Sequence, residues 1–401
     1  MRVEESASPT VRQRFLLVLL VAALGLNLRA TLGTVPALLD RIRSDVELSG
    51  SAAGLLTSTA VVAMGLGAPL GPALSARIGV QHAVTACLGA LSAGGLLRIC
   101  GELPGVLHLA ALVSGLGMGA ASSLVPGLVA RSLPRQAGAV TGAYASCMAI
   151  GVGVAAFLSV PLADALGSWQ RSLAVWGAVA AATLVAWIAV ASRLAPAFGL
   201  GRPVRAAAGS ARGLPWRSRT AWLVTLMVAT PMALGFAGVA WIDPVFRERG
   251  ADPATAAGMF LLFQGVQLAA MMVMPAVSDA RGDRRPMLAV ALVIASCGAA
   301  GVTLEPAAVA ISAVALFGFG IGGATALALA LVGDCAATAT DSARLGAMAL
   351  LVGFTVGAAG PVALGALHDV TGSYAPGFAG LALLGTVTLS QARRLRPGRV
   401  V

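Results

Sequence analysis

The chain has 401 residues, 58% of them apolar and only 11% charged, with a formal net charge of +11. A soluble domain carries about a quarter charged residues, so this composition excludes an ordinary water-solvated globule. It fits a bilayer, where each spanning helix uses roughly 20 apolar residues. All 27 basic residues are arginines; they lie between apolar runs and not in a patch interleaved with aromatics, which argues against a nucleic-acid surface.

Residues 1–14 carry Arg12 and Arg14 and precede a first apolar run, 15–38. The order of charge and apolar residues resembles a signal peptide. The run continues past any small-residue cleavage site, so it predicts a retained spanning helix. Arg29 interrupts this run near its middle. Further runs follow at 51–74, 83–100, 105–130, 137–162 and 171–192, the last two carrying Tyr144 and Trp176. A basic linker rich in Gly and Pro comes next, with Arg202, Arg205, Arg212, Arg217 and Arg219 and no acid. Beyond it lie runs at 220–242, ending on Trp241, then 254–277 with Gln264 and Gln267, 286–304, 306–331, 343–367 and 375–392. The expected architecture is an all-α membrane protein of twelve spanning helices. The expected divisions are an N-terminal tail 1–14, a six-helix bundle 15–193, a linker 194–219, a second bundle 220–392 and a tail 393–401.

With both termini and the linker placed in the cytoplasm, twenty arginines fall inside and six outside, namely Arg41, Arg43, Arg98, Arg171, Arg247 and Arg249. That asymmetry satisfies the positive-inside rule and predicts a multi-pass protein of the cell (inner) membrane. The halves also repeat. Ser51-Ala-Ala-Gly54 returns as Thr255-Ala-Ala-Gly258, Gly115-x-Gly117-x-Gly119 as Gly318-x-Gly320-x-Gly322, and Asp164-x-x-Gly167-Ser168 as Asp369-x-x-Gly372-Ser373. Six spans per half return the chain to the same side, so the repeats are parallel.

These features together resemble the major facilitator superfamily. The stretch Ser278-Asp279-Ala-Arg281-Gly282-Asp283-Arg284-Arg285 is similar to that family's cytoplasmic signature loop. Its first-half counterpart around Arg77 has Ala76 in place of the acid, and Gln81 and His82 in place of the basic pair. The resemblance narrows to the cyanate porter branch, which includes 2-nitroimidazole transporters. It does so through Asn27-Leu-Arg29 with Pro36, Gly167-Ser-Trp169-Gln-Arg171, Ala240-Trp241-Ile-Asp243-Pro244, Phe263-Gln264 and Leu367-His368-Asp369. It implies alternating access, a central site between the halves, and a gating role for Arg77, Asp279, Arg281, Asp283, Arg284 and Arg285.

Arg29 is the leading site candidate. A charge at mid-bilayer costs about 2.5–3.5 kcal/mol on insertion scales and is tolerated only against a cavity, water or a partner. It shares a helical face with Ala22, Gly25, Gly33 and Pro36, a face of small residues that should not meet lipid. Asn27 lies about 200° around the same helix and, with Thr31 and Thr34, forms a second polar row suited to interhelical bonds; it is a weaker substrate candidate. Gln264 and Gln267, three apart on one face, suggest a polar cavity wall. Trp241 reads as an interfacial anchor or part of an outer gate, and Tyr144 and Trp176 as pocket candidates. The acids Asp164, Asp243, Glu305, Asp334 and Asp369 all fall at predicted helix ends.

No arrangement suggests catalysis, a metal or a cofactor, and the glycine triplets lie inside apolar spans, where they serve close helix packing. The expected partners are a small-molecule substrate and the lipid bilayer, with protons or a counter-anion as coupling candidates and a monomer as the unit. The leading expectation is transport of a small anionic or polar organic solute. Its rivals are efflux of hydrophobic drugs and a transporter-like solute sensor.

Overall fold

The computed structural model describes residues 10–46, 50–103, 105–133, 136–201, 214–279, 283–304, 307–336 and 339–392. Among these there is no strand. The helices are α1 (Val11–Leu28), α2 (Ala30–Ala37), α3 (Leu39–Val46), α4 (Gly50–Gly67), α5 (Leu70–Leu97), α6 (Val106–Ser132), α7 (Ala137–Leu166), α8 (Trp169–Phe198), α9 (Arg219–Glu248), α10 (Pro253–Asp279), α11 (Arg284–Gly301), α12 (Ala307–Asp334), α13 (Ala339–Thr371) and α14 (Ala375–Ala392). Among the described residues ten helical stretches are long and apolar enough to cross a bilayer, α1 and α2 together forming the first of them. The second predicted span is divided, because the helix breaks after Gly67 and resumes at Leu70. It then turns at Gly79 inside α5, where φ is +80° and a side chain would strain the backbone. The last predicted span is α14. Phe157 on α7, Val185 and Ile188 on α8, Met272 and Val273 on α10 and Leu383 on α14 are exposed large apolar side chains, as lipid-facing helices require.

The repeated sequence motifs have repeated structural roles. Gly167 and Gly372 both take positive φ, 64° and 65°, and each is followed by a serine that accepts from the next helix: Arg171 N donates to Ser168 Oγ at 3.3 Å, and Ala375 N to Ser373 Oγ at 3.2 Å. Each motif is thus a helix stop followed by a helix start. A Cβ on Gly115 or Gly119 would collide with the carbonyls of Ala60 and Met64 on α4, and one on Gly117 would lie 2.7 Å from Cys87 O on α5. In the second triplet Gly318 and Gly322 press on the Phe263 and Gln267 carbonyls of α10, and Gly320 presses on α11 at Ala291 and Ala295.

Helix contacts repeat in the same way. α1 and α2 pack on α7 as α9 packs on α13; α4 meets α6 as α10 meets α12; α5 meets α6 and α8 as α11 meets α12 and α14. The two sets join through α4–α13, its counterpart α7–α10, and α2–α9.

One end of the bundle carries α3. There Arg41 pairs with Asp164 at 2.7 Å, Trp169 Nε1 donates to Asp45 at 2.6 Å, and His368 Nε2 meets Glu248 at 2.9 Å. At the opposite end, where α1 begins and α14 finishes, Gln81 N donates to Leu200 O at 3.0 Å and Arg284 pairs with Asp334 at 2.7 Å. Toward the α3 end one apolar core runs across both sets, joining Ala37, Leu39, Val152 and Ala156 to Leu234, Trp241 and Phe246. A core of the second set toward the termini, containing Val224, Leu288, Leu331 and Leu345, takes in no residue of the first set.

Candidate functional site

The first helix does not run straight through. At Arg29 the backbone leaves helical geometry (φ −114°, ψ 1°), and Leu32 N bonds Arg29 O at 2.9 Å in a tighter turn. The pieces on either side are seated closely on α7: a Cβ on Gly25 would lie 2.8 Å from Tyr144 O, one on Gly33 2.5 Å from Val152 O, and Gly151 presses on Leu26 O. The small face anticipated from the sequence therefore packs against a helix, and Arg29 emerges from it into a cavity between the two sets.

That cavity has a volume of about 90 Å³ and is lined by Arg29, Leu32 and Val152 from the first set and by Met232, Gly235, Phe236, Gln264, Gln267, Thr325 and Phe354 from the second, among others. About 10–15 Å³ on the same scale holds one water, so the space suits roughly six to nine waters or a solute of similar bulk. Arg29 has no acidic or hydrogen-bonding partner among the described residues, and its Nε is buried and unpaired. Gln264 is buried on the facing wall with its Oε1 also unpaired. Tyr144 stands beside Arg29. Phe236 and Phe354 form an aromatic wall with ring centroids 6.1 Å apart.

The other candidates lie elsewhere. Asn27 Nδ2 donates to Thr183 Oγ1 at 2.8 Å and to Ala23 O at 2.9 Å, tying α1 to α8. Trp176 sits on α8 next to the close approach of Gly95 and Gly177, away from the cavity lining, with its Nε1 buried and unpaired. Trp241 is 1% exposed; its Nε1 donates to Pro361 O at 2.9 Å and its ring meets Tyr374 at 5.4 Å. It joins α9 to α13 inside the protein and is no lipid anchor. On α4, Gly54 abuts the same Pro361 carbonyl, and Ser58 donates to Ala358 O. These contacts place the tightest junction of the sets on the α3 side of the cavity.

Of the signature loop, Arg281 lies outside the described residues, and Asp279 ends α10. Asp283 caps α11, accepting from Arg285 N at 3.0 Å and pairing with Arg285 Nη2 at 2.7 Å. The Arg285 guanidinium holds its carboxyl below the usual carboxylate range. Arg284 reaches Asp334 at the end of α12, and Arg77 is exposed at the same end. Asp243, expected at a helix end, lies inside α9, which continues through Pro244 to Glu248; it is 2% exposed and paired with Arg247.

Sequence reasoning missed a second inward-facing arginine. Arg98, counted as an outer loop residue, is 3% exposed. Its Nη1 donates to Thr34 Oγ1 at 3.1 Å and to Thr31 O at 3.3 Å. The polar row of α2 was a usable signal for it: Thr31 and Thr34 needed an interhelical partner.

The family model described as Major Facilitator Superfamily matches residues 15–361 of the chain. The chain is 29% identical to the 2-nitroimidazole transporter of Escherichia coli (strain K12) over 94% of its length and 95% of that protein. It is 27% identical to the cyanate transport protein CynX of the same organism over 89% of its length and 91% of that protein. Its fold matches the crystal structure of a mutant of the nucleoside transporter NupG with a TM-score of 0.75 at 11% identity, covering 94% of this chain and 99% of that one.

Proposed function

Because this chain belongs to the Major Facilitator Superfamily, a family of transporters and not enzymes, we propose that it moves a small anionic or polar organic solute, cyanate- or nitroimidazole-like, across the cell membrane by alternating access. The observation that carries this reading is the unpaired Arg29 guanidinium in the cavity between the two sets of helices. A cation within the membrane span that has no protein partner is costly unless it faces a cavity or water, and a forked set of donors suits an anion or a nitro or carboxylate edge. The cavity's bulk favours a small solute over a large hydrophobic drug.

In this reading twelve spanning helices form two six-helix halves, 15–193 and 220–392, joined by the basic linker 194–219. The excess of arginine at the termini end supports a cytoplasmic placement of both termini in the inner membrane. The apolar junction toward α3 then closes the outer side. Coupling to a proton or a counter-anion belongs to the same proposal, with buried Asp243 as the acid to test; a single copy is the working unit.

The test is counterflow in proteoliposomes with cyanate and 2-nitroimidazole. Wild type exchanges at least one of them, Arg29→Lys keeps part of the rate, and Arg29→Ala loses it. Folded Arg29→Ala protein exchanging at the wild-type rate refutes the role of Arg29. Saturable binding without exchange by the wild type would make the protein a sensor.

A further inference from the structure

Resting on that reading of the cavity, we propose that its solute carries a hydrogen-bond donor alongside its acceptor or negative charge, as a small planar N–H-bearing molecule does and an acceptor-only anion does not. Two buried polar atoms on the cavity-lining residues lack partners, and they are of opposite kind. Arg29 Nε is a donor from the first set, and Gln264 Oε1 is an acceptor from the second. An arginine offers only donors, whereas an amide offers a donor and an acceptor whichever way it is turned. Gln267, one turn along α10, lines the same wall.

A solute that fills the cavity and meets only one of the two kinds of group leaves the other buried and unpaired, which costs affinity. Cyanate brings acceptors alone; it meets the guanidinium but sets negative charge against the amide oxygen and leaves that oxygen unmet. A flat ring with a nitro or carboxylate edge and a ring N–H meets both walls at once. The apolar remainder fits the same shape, because Phe236 and Phe354 offer tilted ring surfaces 6.1 Å apart between centroids, which favour flat aromatic guests.

The test uses the purified full-length protein and three probes: 2-nitroimidazole, 1-methyl-2-nitroimidazole and sodium cyanate. Titrations are run in mildly acidic buffer, where the first probe keeps its ring proton. Methylation removes the donor and preserves the plane and the nitro group. We expect it to weaken binding to wild type by about tenfold or more, with cyanate weaker than 2-nitroimidazole. Gln264→Met should weaken 2-nitroimidazole by a similar factor and leave the methylated probe unchanged. Equal affinity of the two imidazoles for wild type overturns the proposal, as does tighter binding of cyanate or no binding of either imidazole. These failures are separable from failure of the underlying reading. If Arg29→Ala loses every probe while methylation makes no difference, the cationic site stands and the donor requirement falls. If Arg29→Ala binds 2-nitroimidazole as wild type does, the site itself has been misassigned.

Discussion

Arg98 turns back from the end of α5 and donates through Nη1 to the Thr34 hydroxyl at 3.1 Å, so a cation from one helix holds the broken segment that follows Arg29. α2 is only eight residues long, interrupted at Arg29 and again at Leu38. Pro36 removes one of its backbone donors. Such a segment depends on its neighbours: α7 on one side and the Arg98 guanidinium on another.

This arrangement predicts an asymmetry. Thr34→Val keeps the bulk of the side chain but withdraws an acceptor from a buried charge, and should cost about 1–3 kcal/mol. Arg98→Met removes the charge together with its need for partners, and should cost less. Thermal unfolding of both purified variants decides this, and a larger loss for Arg98→Met contradicts it.

Arg29 should behave in the opposite sense to a structural residue. Its Nε is buried without a partner while the side chain as a whole is only partly exposed, so Arg29→Leu should raise stability by about 1–3 kcal/mol while abolishing solute binding. Melting temperature and solute titration on the same preparation check both halves. A variant that is less stable than wild type would point to a hidden structural role.

The glycine triplets make a packing prediction. A Cβ on Gly119 or Gly322 meets a backbone carbonyl that cannot move aside, so Gly119→Ala or Gly322→Ala should cost about 1–3 kcal/mol through overpacking. Gly127 lies on the same helix as Gly119 with nothing within 4 Å of an added Cβ. Gly127→Ala should therefore be neutral or gain up to about 1 kcal/mol from helix propensity. The difference between Gly119→Ala and Gly127→Ala in a thermal melt is the measurement.

The junction of the two sets predicts a kinetic variant. On α4, an added Cβ at Gly54 would lie 2.5 Å from the Pro361 carbonyl of α13. Gly54→Leu should wedge the sets apart there, leaving solute binding within about threefold of wild type while exchange falls below detection. Normal counterflow by this variant would show that the contact is not part of the cycle.

Much of this was legible in the sequence because a membrane makes polar residues conspicuous. Arg29, Gln264 and Gln267 stood out within apolar runs, and all three line one cavity. The glycine triplets and the Gly-Ser helix junctions recurred at nearly one offset because each performs the same backbone task twice. Arg98 was legible only indirectly, through the need of Thr31 and Thr34 for a partner. It lies at the end of a predicted span, where an arginine ordinarily faces water, and the fold turns it inward. Asp243 was placed at a helix end because Pro244 follows it, yet α9 accommodates that proline and continues to Glu248. Asn27 and Trp241 are polar-capable residues in apolar surroundings, as Arg29 is. Their partners, Thr183 and the Pro361 carbonyl, sit 156 and 120 residues away in the chain, beyond the reach of any local pattern.

The interlocked glycines of α6 and α12 constrain where deformation can occur. Each triplet clasps two neighbouring helices by their main chains, so α4, α5 and α6 form one stiff slab, and α10, α11 and α12 another. Spin labels placed within a slab should keep a narrow, ligand-independent distance distribution. Labels spanning α4 and α13 should broaden or split when solute is added. The compliance of the molecule is thus concentrated in its seams and not in the helices they join.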